Sequence, residues 1–358
     1  MSAAAPAGQV NTSTASGLDE DSLDGYLRQH LPPYRRRFAL RALSGGQSNP
    51  TFVLDDGEQK FVLRKKPSGQ LLPSAHAVDR EYRIITALAG TAVPVARPWC
   101  FCCNESVIGT PFYVMAHVEG RQFMDPALPQ LAPAERRRVW DEFNRVIAAL
   151  HTADYTALGL SDYGKVGNYI QRQLDRWSRQ YHASQTEQID SMDRLMQWLP
   201  QNIPQDDSTT IVHGDLRIDN LIFEKDGTGI LAVVDWELST LGHPLADLSY
   251  HVMSWRLTAE QFRGMGGKDL AALGIPDEAE YLRWYGERTG RVPIDPVAWE
   301  FYMAFSMFRL AAILQGIVKR ALDGIAASGE ALELGRRART IADVAWKQVE
   351  AVKRLTPG

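Results

Sequence analysis

Eight consecutive residues, His213-Gly-Asp-Leu-Arg-Ile-Asp-Asn220, gather an imidazole, two carboxylates, a guanidinium and a carboxamide. Phosphoryl transfer asks for parts of this kind: a group that orients the attacking hydroxyl, oxygens that hold a cation, and positive charge around the phosphates. Asp215 is placed to orient a substrate hydroxyl or accept its proton. Asn220 offers a neutral oxygen suited to magnesium. Arg217 can aim a fixed positive charge at the transferring phosphate. Asp235 follows a second strand, and a hairpin of that length returns its far end beside the start of its first strand. Asp235 and Asn220 can therefore share one magnesium ion, which prefers hard oxygen ligands. His213 reads better as a ring that bonds the loop and holds Asp215 than as a metal ligand, because magnesium avoids imidazole. Asp219 reads as a capping or solvated carboxylate.

The elements that must position these groups fall into two stretches. After an Ala-, Ser- and Thr-rich tail over 1–17, expected to be disordered, a short helix is expected over 18–29. Strands at 38–43, 51–54 and 60–64 follow, separated by Ser44-Gly45-Gly46-Gln47-Ser48-Asn49 and by the turn at Asp56-Gly57. Residues 74–89 carry Ala77, Val78, Tyr82, Ile85 and Leu88 at helical spacing. Strand character returns at 93–95, 99–103 and 111–118. From Ala132 the pattern turns helical, with helices expected over 135–151, 168–181 and 185–198. A strand at 210–213 and a hairpin of 221–224 with 230–234 interrupt the helices. The expectation is an α+β protein with a β-rich lobe over 18–119 and a larger helical lobe over 120–358.

Bulk properties narrow the function. A net charge of −4 gives no general attraction to nucleic acid or anionic membrane. Cys100, Cys102 and Cys103 are an odd, crowded set that fits neither a disulfide framework nor a zinc pattern, so a buried strand in a reducing compartment is expected. The apolar run 304–318 is interrupted by Arg309 and Gln315 and is too short to span a bilayer. Without a basic, apolar leader, a cytoplasmic protein is expected. Arg309 and Gln315 stand out as polar groups in an apolar run, and Arg309 is a candidate to meet an acidic substrate group.

His213-x-Asp215-x-x-x-x-Asn220 with Asp235 resembles the central motif of the aminoglycoside phosphotransferase and choline kinase superfamily, over roughly residues 18–353. That resemblance implies the bilobal protein-kinase-like fold, ATP and Mg2+, with Asp215 as catalytic aspartate and Asn220 and Asp235 as metal ligands. It places Ser44, Gly45, Gly46, Gln47, Ser48 and Asn49 at the phosphate-covering loop. Glu81 looks like the helix glutamate that pairs with a basic residue on the third strand, here Arg64 where the family position is usually lysine, with Lys66 as fallback. Met115, His117 and Val118 resemble the hinge that holds the adenine edge, and Asp247 the aspartate that braces the catalytic loop. Within the superfamily, Ser44–Phe52, Val62–Pro67, Ala75–Tyr82, His213–Asn220 and Phe308–Gly316 are together similar to the kinase-like domain fused to certain acyl-CoA dehydrogenases. With 358 residues, a domain that stands alone without a dehydrogenase is expected.

The resemblance implies transfer of the γ-phosphate of ATP to a hydroxyl of a small molecule. Lys319-Arg320, Arg336-Arg337, Arg339, Lys347 and Lys353-Arg354 favour an anionic acceptor such as a hydroxyacyl-CoA or hydroxy acid. An aminoglycoside or choline would instead need an acidic or aromatic-caged pocket. A nucleotide-binding pseudokinase acting as a regulatory module is the reading from another class, encouraged by Arg64 and by Trp236-Glu237 after Asp235. Neither a Gly-x-Gly-x-x-Gly after a strand nor a Walker loop is present, so a dehydrogenase is disfavoured. Oligomeric state is not legible.

Overall fold

The computed structural model describes residues 18–43, 49–67, 77–324 and 329–355. The chain divides into two compact units. The first comprises Met1–Arg121, Ile222–Lys225 and Leu231–Ser239, the second Gln122–Leu221, Asp226–Ile230 and Thr240–Gly358. The tail over 1–17 and the loop residues Ser44, Gly45, Gly46, Gln47 and Ser48 lie outside the described residues. The fold is α+β, with a small antiparallel sheet in the N-terminal region and a mostly helical C-terminal region.

In the first unit, α1 (Glu20–His30) begins where the Asp19 carboxylate accepts from the Ser22 amide at 3.0 Å, a side-chain N-cap. Strands β1 (Ala39–Ala42), β2 (Thr51–Asp55), β3 (Lys60–Lys65), β4 (Pro98–Cys102) and β5 (Phe112–Ala116) form one antiparallel sheet in the order β1-β2-β3-β5-β4. Strand alternation splits β3 between two faces. Phe61 and Leu63 join Leu23, Leu27 and Val114 in a core that includes α1. Arg64 pairs in register with Tyr113 of β5. Helix α2 (Val78–Leu88) buries Val78, Glu81, Ile84, Ile85 and Leu88, so a carboxylate occupies a position its periodicity reserves for apolar groups.

Three expectations change here. Residues 93–95 form no strand, since Pro94 fixes its own φ and donates no ladder bond. The Pro94 carbonyl instead accepts from Val233 at 2.9 Å. Cys100 and Cys102 are buried free thiols, but Cys103 lies past the end of β4 and is exposed. Lys65 is the last residue of β3, so strand alternation does not govern Lys66.

The second unit is built on α3 (Pro133–Thr152), α4 (Tyr169–Ser184) and α5 (Asp190–Trp198), then β6 (Thr210–Val212), which pairs with β9 (Thr240–Gly242). In the chain between them, β7 (Leu221–Phe223) and β8 (Ile230–Val233) make a two-stranded hairpin, most of whose strand residues belong to the first unit. Next come α6 (Pro244–Arg256), α7 (Ala259–Phe262), α8 (Leu270–Leu273), α9 (Glu278–Thr289), α10 (Pro296–Leu322), α11 (Gly329–Gly335) and α12 (Ala338–Leu355). Helix α5 starts later than the expected residue 185. Helix α10 runs for 27 residues, longer than its apolar run, and is long and apolar enough to cross a membrane. Yet 83% of its most apolar stretch is buried inside the protein, where α4, α6 and α12 pack against it.

Candidate active site

Arg64 anchors the charged cluster of the first unit. Its Nε lies 2.9 Å from Glu81 Oε2, and its Nη2 lies 3.1 Å from Asp235 Oδ1 and 3.6 Å from Glu237 Oε2. Glu81 is fixed further by two donors, the Asn49 side-chain Nδ2 at 2.6 Å and the Tyr113 hydroxyl at 3.1 Å. One guanidinium thus faces three carboxylates. Burial pushes the Glu81 carboxyl up to about 7, and the Asp235 and Glu237 charges add to that against the pull of Arg64 and Tyr113. Asp235 itself has φ 69° and ψ 57°, left-handed backbone that Asp tolerates better than most residues. It turns the chain from β8 into the single turn Trp236–Leu238, which the buried Trp236 pins by donating its indole N–H to the Val233 carbonyl at 2.9 Å.

Met115 ends in β5, and His117 and Val118 follow it, all partly buried. The His117 amide donates to the Lys60 carbonyl at 3.2 Å, so it is engaged at the sheet end. Burial, and then the Lys60 charge, lower the His117 imidazole below its ordinary value. Just beyond, Gly120 is required by space: a Cβ there would come within 2.2 Å of the Phe223 carbonyl oxygen.

The second unit holds its loop differently, through the backbone. Asp247, buried on α6, accepts the His213 amide at 2.8 Å and the Gly214 amide at 2.9 Å, one on each carboxylate oxygen. Gly214 has φ 85°, a conformation that favours glycine, and its carbonyl accepts from Arg309 Nη2. The Asp215 amide donates to His213 Nδ1 at 3.3 Å, and the Asp215 carbonyl accepts from Asn220 Nδ2 at 2.8 Å. His213 thus bonds the loop, as expected. Burial acts to raise the Asp247 carboxyl, but His151 and the His213 amide outweigh it and hold the group below its ordinary value.

The Asp215 carboxylate receives Asn220 Nδ2 at 3.2 Å on Oδ2, and Arg217 Nε lies 3.4 Å from Oδ1. Tyr250 of α6 is buried against it, its hydroxyl raised first by burial and then by the Asp215 charge. Arg217 also reaches Asp219 Oδ2 at 3.1 Å, and Arg263 reaches the same oxygen at 2.9 Å. Asp219 is therefore an ion-paired carboxylate with 10% of its side chain exposed, not the solvated group expected from sequence. Arg309 is turned to the Gly214 carbonyl rather than to an open face, and Gln315 donates to the Ser184 carbonyl at 3.1 Å. Both polar breaks in the apolar run thus brace backbone.

Beside Arg217 the second unit opens a recess of about 440 Å³ including its mouth. Its walls are Met124, Pro126, Trp140, Ile218, Met253 and Phe262, and its polar lining includes Arg217, Asp219, Tyr250, Ser254 and Arg263. Glu237, Tyr113, Tyr250 and Arg263 were missed from sequence. Glu237 lies two residues after Asp235 and carries a weak signal; Tyr113 and Tyr250 look like ordinary core aromatics until register and packing are known.

Each unit holds oxygen donors of the kind magnesium prefers. The three carboxylates around Arg64 leave a local surplus of negative charge beside that guanidinium. Asn220 directs its amide nitrogen at Asp215, which leaves its carbonyl oxygen as the end able to meet a cation. Magnesium takes one or two protein groups and keeps waters and phosphates in its shell. A dedicated cluster of His, Cys, Asp and Glu is accordingly not required, and none is present among the described residues.

A model of the phosphotransferase enzyme family matches residues 39–284. The Mus musculus protein acyl-CoA dehydrogenase family member 10 is 45% identical over 332 residues, covering 92% of this chain and 31% of that protein. Across the curated relatives it matches, the chain spans between 31% and 44% of their length. A solved structure from Ralstonia eutropha, of a protein named as a candidate aminoglycoside phosphotransferase, is 52% identical. The match covers 93% of this chain and 99% of that one, with a TM-score of 0.86. A thermostable mutant of an aminoglycoside phosphotransferase, solved as a ternary complex with AMP-PNP and hygromycin B, is 18% identical with a TM-score of 0.57. That match covers 90% of this chain and 98% of the other, a likeness of fold alone.

Proposed function

The chain belongs to the phosphotransferase enzyme family; from that premise we propose that it is a small-molecule phosphotransferase that moves the γ-phosphate of MgATP to a hydroxyl of a small anionic acceptor, such as a hydroxyacyl-CoA or a hydroxy acid. The recess beside Arg217 carries the choice of acceptor. Its walls are apolar and its charged lining is two arginines against one aspartate. A polycationic aminoglycoside needs an acidic surface and choline an aromatic cage. An apolar chain with a negatively charged group suits this lining better.

In the reaction, Asp215 orients the acceptor hydroxyl and takes its proton as the hydroxyl oxygen bonds to the γ-phosphorus. The bond between that phosphorus and the bridging β-oxygen breaks, and ADP leaves with the electron pair. Bound magnesium would supply charge neutralisation on the phosphates, with Asn220 and Asp235 as its protein ligands. Arg64 holds Asp235 and Glu81 in place and is the basic residue assigned to the phosphates. Arg217 meets Asp215 and Asp219, contacts that suit a role in fixing the Asp215 carboxylate. Asn49 supports Glu81, and Met115, His117 and Val118 are assigned to the adenine edge.

The test is ATP turnover, with thermal shift alongside, in the presence of a hydroxyacyl-CoA, a hydroxy acid, kanamycin or choline. Stimulation by the anionic acceptors is expected. Stimulation by kanamycin or choline alone would overturn the anionic acceptor, and no turnover with any of them would favour a nucleotide-binding module.

A further inference from the structure

Arg309 is the only charged residue between Glu300 and Lys319 of α10. It is 6% exposed, and no carboxylate among the described residues lies within ion-pairing distance of it. A buried arginine without a counter-ion is costly, and a methionine of similar volume would serve the core better. Part of the cost is offset by two aromatic faces, with the guanidinium carbon 4.6 Å from the centre of the Tyr250 ring and 5.4 Å from that of Trp177. What the arginine holds is the Gly214 carbonyl.

That carbonyl belongs to the peptide joining Gly214 to Asp215. The preceding peptide is fixed by the bond from the Gly214 amide to Asp247. Glycine at φ 85° is the residue in the loop best able to rotate, and a rotation there would swing the Asp215 carboxylate. Arg309 removes that freedom from the carbonyl side, and it also backs the Tyr250 ring that packs against Asp215.

We infer that Arg309 is a positioning residue, a clamp reaching from the core helix α10 that fixes the Gly214–Asp215 peptide and thereby the direction of the Asp215 carboxylate. Its action is exercised through the Gly214 carbonyl rather than on the reacting groups. The inference rests on the reading of Asp215 as the catalytic aspartate. It explains why a charge persists in an otherwise apolar helix, and it makes α10 part of the catalytic apparatus.

The experiment compares Arg309→Met and Arg309→Lys with the parent in the full chain, using MgATP hydrolysis with water as acceptor. Misplacing a catalytic group by about an ångström costs on the order of 100-fold. Arg309→Met is therefore expected to lose about that factor in kcat, while its KM for MgATP stays within about threefold and its melting temperature holds. Arg309→Lys, which keeps a donor for the carbonyl, is expected to recover part of the loss. Hydrogen exchange supplies a readout independent of turnover: peptides covering 213–216 exchange faster in Arg309→Met, while those in β6 do not. Parental kcat in Arg309→Met, or unchanged exchange at 213–216, overturns the clamp. So does loss of fold in both variants, or a parallel fall of kcat, MgATP affinity and melting temperature that lysine does not rescue. A parent without MgATP turnover counts against the phosphotransferase reaction itself, and the exchange experiment still decides the clamp.

Discussion

Two charged regions of this protein are held in opposite ways. Around Arg64, side-chain charges hold each other: one guanidinium lies within 3.6 Å of three carboxylates, and burial lifts one of them to about 7. Around Asp215, side chains hold backbone: Asp247, Arg309, His213 and Asn220 bind the amides and carbonyls of residues 213–215. Ion pairs exchange partners when a new charge arrives, whereas a loop clamped through its backbone keeps its direction. On the proposed function, the first region redistributes its contacts when a charged nucleotide binds, and the second presents one carboxylate in a fixed orientation.

The largest expected effect separates chemistry from binding. Asp215→Ala should lower kcat by roughly 1000-fold while leaving MgATP affinity within about threefold, as for a group that acts on the proton in transit. Steady-state kinetics beside calorimetric titration would show it. Retention of more than a tenth of parental kcat would break the assignment of the loop.

Asp247→Asn comes next. Asparagine accepts with one oxygen where the carboxylate used two, so a buried amide is left unpaired at a cost of about 2–3 kcal/mol. The sign of the pH effect follows from the lowered Asp247 value. A carboxyl below its ordinary 3.8 in the folded protein stabilises above that pH and loses its contribution as the pH falls through its folded value. Denaturant unfolding of the parent should therefore steepen below about pH 4 relative to Asp247→Asn. Identical slopes would mean that the loop is not clamped by charge.

Arg64→Lys probes the other region. An ammonium cannot span Glu81 and Asp235 as a planar fork does, so kcat/KM for MgATP should fall by about tenfold. A variant equal to the parent would show that a point charge suffices there. The smallest change is expected from Glu237→Gln. At 3.6 Å and partly exposed, its pairing with Arg64 is weak, and the magnesium concentration for half-maximal turnover should shift by about twofold. A larger shift would bring Glu237 into the metal site.

How much of this was legible in the sequence follows from the range of each interaction. His213–Asn220 needs only local spacing, and the five-stranded sheet announces itself by alternation and by turns such as Asp56-Gly57. Helix α2 was legible because periodicity is local as well. Glu81 stood out only through the family resemblance, since a buried carboxylate breaks the apolar pattern rather than following it. The contacts missed are long-range. Tyr113 meets Glu81 through a strand register that no short window carries, and Arg263 reaches Asp219 across 44 residues. Arg309 was visible as an anomaly in an apolar helix, but its partner, a carbonyl 95 residues away, was not. The expected strand at 93–95 failed because apolar alternation was weighed above the constraint that Pro94 imposes.

The most direct measurement is phosphorus NMR of the intact chain with MgATP and a hydroxy acid, followed through turnover. Conversion of the γ-phosphate signal into a phosphate monoester, dependent on magnesium and lost in Asp215→Ala, is the predicted result. A γ-phosphate that persists unchanged in the intact chain, or a monoester that forms equally without the Asp215 carboxylate, would contradict it.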